Sequence, residues 1–184
     1  MPDPTTNELD LMRREVWRGQ IRDALYRYCR GVDRADIDMF LSAFHPGARE
    51  DHGAYHGPVE DFAHLTTERV GLGTIGIQHV LGNILVQFED DHAQVETYFR
   101  AFYRDRANPD IFVAVGGRYL DRFEQRDGHW RIARRYVVND WSTRQEIPAD
   151  VAGSSAYPSG SPDRNDPLFQ PDIWAPYNAD IFGD

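Results

Sequence analysis

Hydrophobic positions recur with helical spacing at the start of the chain. Leu9, Met12, Val16, Ile21 and Leu25 follow Thr5-Thr6-Asn7-Glu8, where Thr5 and Glu8 are placed to form a capping box. This predicts a first helix over about 6–30. A second, short helix is predicted in "ADIDMFLSAF", stopped by His45-Pro46-Gly47. "AREDHGAYHG" reads as a short strand or hairpin edge, and "PVEDFAHLTTERV" as a third helix that opens on Pro58 and is broken by Gly71, Gly73 and Gly76.

From about residue 74 the period changes to two. "TIGIQHVLGNILVQFE", "QVETYFRAFYRD", "IFVAVGGRYLDRFEQ" and "WRIARRYVVNDWSTR" are predicted strands, joined by the short turns "DDHA" and "RDGH" and a loop before Ile111. Helices first and a meander afterwards make an α+β fold with a largely antiparallel sheet. Residues 1–150 form one domain. Residues 151–184 are rich in Pro, Gly, Ser and Asp, yet keep Tyr157, Phe169, Trp174 and Tyr177. They are expected to form an extended tail packing on its own or a neighbouring subunit.

The chain is 41% hydrophobic over 184 residues, enough for one domain with a real core. No apolar run approaches the ~20 residues that span a bilayer, and the first residues lack a signal-peptide pattern, so a cytoplasmic location and no membrane partner are expected. A net charge of −10 argues against a nucleic-acid groove. The single cysteine, Cys29, excludes an intrachain disulfide and a Cys-based zinc site. "EDHGAYH" holds two histidines four apart, but Gly53 and Gly57 favour a strand or turn, and no third ligand follows in frame. No metal and no cofactor are expected.

Three polar residues break apolar patterns. His79 shares a strand face with Ile75, Ile77 and Leu81. It is either a satisfied core histidine or a general base in a poorly solvated pocket. Asp33 follows Gly31 in "YCRGVDRADIDMF" and is either the cap of the second helix or the partner of such a base. Arg134 and Arg135 are adjacent on a strand, so one of them faces inward and needs a carboxylate or an anionic ligand there. Tyr28, Tyr98, Tyr103 and Asn139 are candidate polar groups of the same cavity, with Trp141 beside them as a substrate contact.

Over roughly residues 10–145, "YCRGVDRADIDMFLSAFHPGAREDHGAYHGP", "QHVLGNILVQFEDDHAQVETYF" and "GGRYLDRFEQRDGHWRIARRYVVNDW" together resemble the SnoaL-like branch of the NTF2-like superfamily. Its members include scytalone dehydratase, bile-acid 7α-dehydratase and hexachlorocyclohexane dehydrochlorinase. The resemblance implies a cone-shaped curved sheet wrapped around a long N-terminal helix, a deep apolar pocket, and a homotrimer or homodimer. It also implies that Asp33 pairs with His79, that Arg135 and Tyr28 belong to the catalytic group, and that the activity is a cofactor-free elimination. The expected substrate is a mostly apolar, ring-containing small molecule such as a hydroxysteroid or polycyclic alcohol. The superfamily also holds isomerases, polyketide cyclases and non-catalytic proteins, so an isomerase, a cyclase or a binding subunit is the alternative.

Overall fold

The computed structural model describes residues 5–147 and 158–174. The chain order is α1 (Thr6–Asp33), α2 (Ile37–Leu41), β1 (Phe44–His52), β2 (Tyr55–Pro58), α3 (Val59–Gly73), β3 (Thr74–Phe88), β4 (His92–Asp105), β5 (Ile111–Arg126) and β6 (His129–Glu146). Two short 3-10 turns follow in the tail. The six strands form one sheet in the order β2-β1-β6-β5-β4-β3. All pairings are antiparallel except β1 with β6, which are parallel.

The Thr5–Glu8 capping box is present: the Glu8 amide donates to the Thr5 hydroxyl at 3.3 Å, and the Thr5 amide donates to Glu8 Oε2 at 2.6 Å. Ile21, Leu25, Tyr28 and Val32 form one buried stripe of α1 against the sheet. The three predicted positions before them behave differently. Leu9, Met12 and Val16 are all more than half exposed, so the first turns of α1 lie beyond what the sheet covers. Trp17 marks the change, packing in tilted contact on both Phe88 and Trp130, with ring centroids 5.5 Å apart in each pair.

The first helix runs through Gly31 to Asp33, and the glycine there answers a steric need. A Cβ there would lie 2.4 Å from the backbone nitrogen of Phe40, because α2 folds back onto the last turn of α1. Asp36, not Asp33, caps α2, accepting the Met39 amide at 3.1 Å. The hairpin between β5 and β6 turns on Asp127 and Gly128, both with positive φ, as a two-residue Asp-Gly turn requires.

The described part of the tail touches the domain at Arg34. Asp166 is buried, accepts the Ser161 and Leu168 amides, and pairs with Arg34 at 3.1 Å. Trp174 donates its indole N–H to the Leu168 carbonyl and is otherwise exposed. Tyr157 and Tyr177 lie outside the described residues.

Gly31→Ala should destabilise the protein by at least ~1–3 kcal/mol, since the added methyl meets backbone rather than a side chain that can turn away. Chemical denaturation of the two proteins measures this.

Candidate active site

The α1–α2 corner delivers Asp33 to the edge strand β3. Its Oδ2 accepts the backbone amide of His79 at 2.9 Å, and its Oδ1 lies 2.6 Å from His79 Nδ1. Both side chains are largely buried, at 8% and 13% exposure. With Nδ1 held by a carboxylate, Nε2 is the ring nitrogen left for other chemistry. In the neutral imidazole this contact places the proton on Nδ1, toward Asp33, and leaves a lone pair on Nε2.

His79 opens on a cavity of about 540 Å³ between α1, α3 and the inner face of the sheet. Val32, Phe62, Ile77, Phe99, Val115 and Val137 supply most of its apolar wall. This size lies within the range of sites for small organic ligands. Tyr28, Tyr103 and Asn139 also line it, as the sequence suggested. Tyr28 packs edge-on to the His79 ring at 6.4 Å. Burial raises its pKa well above the ordinary range, so the phenol stays protonated.

Two expected substrate contacts are corrected. Tyr98 is 47% exposed on the outer face, because Thr97, Phe99 and Ala101 set the inward row of β4 and Tyr98 lies out of phase with them. Trp141 is 45% exposed, also outside. Asn139 pairs with Gly117 and Trp141 with Gly116, so Asp140 is an extra residue that reverses the alternation of β6. The indole lies across Gly116, where a Cβ would meet it at 2.3 Å.

Arg135 is also corrected. It is the inward arginine, while Arg134 points outward to Asp51 at 2.8 Å. Yet Arg135 does not line the cavity. It is completely buried and held by two bonds of 2.8 Å to Asp121, its cross-strand neighbour. Its guanidinium is sandwiched between the Tyr28 and Tyr119 rings at 4.1 and 4.0 Å. Burial pushes the Asp121 carboxyl up, against the two Arg135 bonds.

Two residues escaped the sequence reading. His52 lines the cavity and its Nδ1 lies 3.1 Å from Oε1 of Glu50, which is fully buried. Their signal is the alternation Ala48, Glu50, His52 on β1, which the glycines at 53 and 57 obscure. Among the described residues no three His, Cys, Asp or Glu side chains group as metal ligands do. Burial pushes the Cys29 thiol up to about 12, which makes it a packing residue and not a nucleophile.

The helix-backed, curled and mostly antiparallel sheet is a fold that this chain shares with solved NTF2-like proteins. The SnoaL-like domain model matches residues 17–136, more than half of the chain, and the chain belongs to that family. Among solved structures it is similar to a scytalone dehydratase-like protein from Novosphingobium aromaticivorans DSM 12444, at 20% identity and a TM-score of 0.64, covering 76% of this chain and 97% of that one. Hexachlorocyclohexane dehydrochlorinase LinA-type3 from Novosphingobium barchaimii LL02 gives 18% identity and a TM-score of 0.63, covering 80% and 99%. An NTF2-like superfamily protein of Salmonella enterica serovar Typhimurium LT2 gives 16% and 0.61, covering 77% and 99%. At these identities the likeness is one of fold. None of the curated proteins matches the chain by sequence. Among the described residues no helix is long and apolar enough to cross a membrane.

Removing one member of the buried pair should be far worse than removing both. Asp121→Leu or Arg135→Met alone should cost roughly 3–5 kcal/mol by stranding a charge, and the double variant less than either single one. Urea melts of the three variants complete the cycle.

Proposed function

We propose that the protein is a cofactor-free lyase of the dehydratase or dehydrohalogenase type. The observation that carries the reading is the 2.6 Å contact between Asp33 and His79 at the wall of a mostly apolar cavity. His79 Nε2 takes a proton from a carbon acidified by a neighbouring carbonyl or halide. Asp33 holds the ring in the right tautomer and stabilises the imidazolium that forms, the role an orienting carboxylate plays in a catalytic triad. Low local dielectric strengthens that ion pair as it develops. Tyr28 keeps its phenol proton and can hydrogen-bond the substrate beside His79. Tyr103 and Asn139 add polar contacts to a wall otherwise suited to a ring system such as a hydroxysteroid or polycyclic alcohol.

The lyase is further proposed to act as a homotrimer or homodimer. Leu85, Leu120, Tyr136 and Trp141 stand exposed on the outer face of the sheet, the first three along a groove of about 420 Å³ that they share with Gln87, Gln94, Glu96, Arg122 and Arg134. A second copy would cover it.

Turnover of a polycyclic alcohol panel, followed by mass spectrometry, should give products lighter by one water. His79→Ala should lose roughly 10²–10⁴-fold in kcat. An unchanged product mass would mean isomerisation or cyclisation, and a His79→Ala enzyme at full speed would remove the base from the mechanism. In sedimentation, Tyr136→Lys should shift the protein toward a smaller species; an unchanged mass would place the subunit contact elsewhere.

A further inference from the structure

His79 is not the only histidine held by a buried carboxylate at this cavity. His52 ends β1, stacks on Phe62 at a centroid distance of 4.8 Å, and points Nδ1 at Glu50 Oε1, 3.1 Å away. Glu50 is 0% exposed, and its second oxygen has no protein partner. It sits beside Arg135 in the β1–β6 register and feels that charge, but the guanidinium bonds Asp121 through Nε and Nη2, and its Nη1 has no hydrogen-bond partner. His52 is therefore the hydrogen-bonding partner that Glu50 has. Burial raises the Glu50 carboxyl, and the His52 bond and the Arg135 charge oppose that rise.

The sheet order places the two histidines apart. β1 lies toward one edge of the curled sheet and β3 forms the other, yet both line the same cavity. A ligand between them is flanked by an imidazole on each side. A buried glutamate that costs desolvation free energy, aimed at a cavity-lining ring, is not explained by packing alone.

We propose that His52, oriented by Glu50, is the proton donor to a departing oxygen, which makes the substrate a ring-bound β-hydroxy carbonyl compound and the leaving group water. The proposal rests on the reading of His79 as the base. His79 Nε2 takes the proton from the carbon beside the carbonyl. That electron pair becomes the carbon–carbon double bond, and the C–O bond breaks toward oxygen. The oxygen takes the proton from His52 Nε2 and leaves as water. His79 ends protonated and His52 neutral, and exchange with solvent restores both. Hydroxide leaves poorly unless protonated, whereas chloride leaves as a stable anion. A built-in acid therefore serves an alcohol and would be idle for a halide. His52 is a catalytic residue in this scheme, and Glu50 a positioning residue.

The test uses a bicyclic β-hydroxy ketone with its β-acetoxy and β-chloro counterparts, all of which give the same enone. The full-length wild-type enzyme should process the alcohol. His52→Gln retains an amide to bond Glu50 but has no proton to transfer. It should lose roughly 10²–10⁴-fold on the alcohol, less on the acetate and least on the chloride. Glu50→Gln should show the same order with a smaller loss, and circular dichroism checks that both variants are folded. A loss equal on all three substrates would reduce His52 to a structural role and overturn the proposal. So would a wild-type enzyme that eliminates chloride and acetate but leaves the alcohol. His79→Ala separates the two readings: it should lose activity on every substrate, and its retention of all three would overturn the base while leaving the leaving-group order to judge His52. Wild-type inactivity on all three would overturn both.

Discussion

The carboxylate of Asp33 joins the helical layer to the edge of the sheet. One oxygen takes the His79 backbone amide and the other its ring nitrogen. β3 has a neighbour on one side only, β4, and carries register shifts near both Thr74 and Leu81. A slip of one residue in such a strand would turn His79 to the outside. Anchoring the residue by backbone and side chain together removes that freedom. The same contact therefore places the ring, selects its tautomer and fixes the strand that bears it. Charge-assisted hydrogen bonds contribute about 1.5–3 kcal/mol each, a scale at which structure and chemistry are hard to separate by deleting the group.

Beneath the cavity a second electrostatic layer runs across three strands. Asp121 on β5, Arg135 on β6 and Glu50 on β1 are register neighbours, all with side chains shut off from water. One cation stands among two carboxylates, and it bonds only one of them. One oxygen of the other, Glu50, meets His52, which lies at the boundary between the dry layer and the cavity. Aromatic rings close the layer from above: Tyr119 stacks on Phe99 at 4.2 Å, and Tyr28 meets Tyr119 edge-on at 5.5 Å. Mostly apolar walls around a few charged groups make each of those groups count for more.

Much of this was legible in the sequence. The change from helical to alternating periodicity located every strand of the meander, and Gly31 pointed to the place where a carboxylate turns inward. His79 stood out because it occupies an apolar row. What escaped detection depended on parity and on distance. Trp141 would face inward if β6 alternated without interruption, and nothing local announces the extra residue at Asp140. The adjacent Arg134 and Arg135 said that one arginine faces inward but not which, and the depth of Arg135's burial comes from Asp121, fourteen residues earlier on the paired strand. Leu9 and Met12 had the right spacing for a core stripe, yet periodicity says which side of a helix is apolar and not what covers it.

The bulge at Asp140 divides β6 between two environments. Before it, Arg135, Val137 and Asn139 belong to the interior; after it, the alternation starts again in the opposite phase, with Trp141 on the outside. The extra residue is itself tied down, since Asp140 accepts from Arg118 at 3.1 and 3.2 Å. One strand thus answers to two sets of requirements, with a seam between them. Substitutions on the near side of the seam can retune what the hollow accepts, and those on the far side what the exterior meets. The chain is modular within a single β-strand, at a scale far below that of a domain.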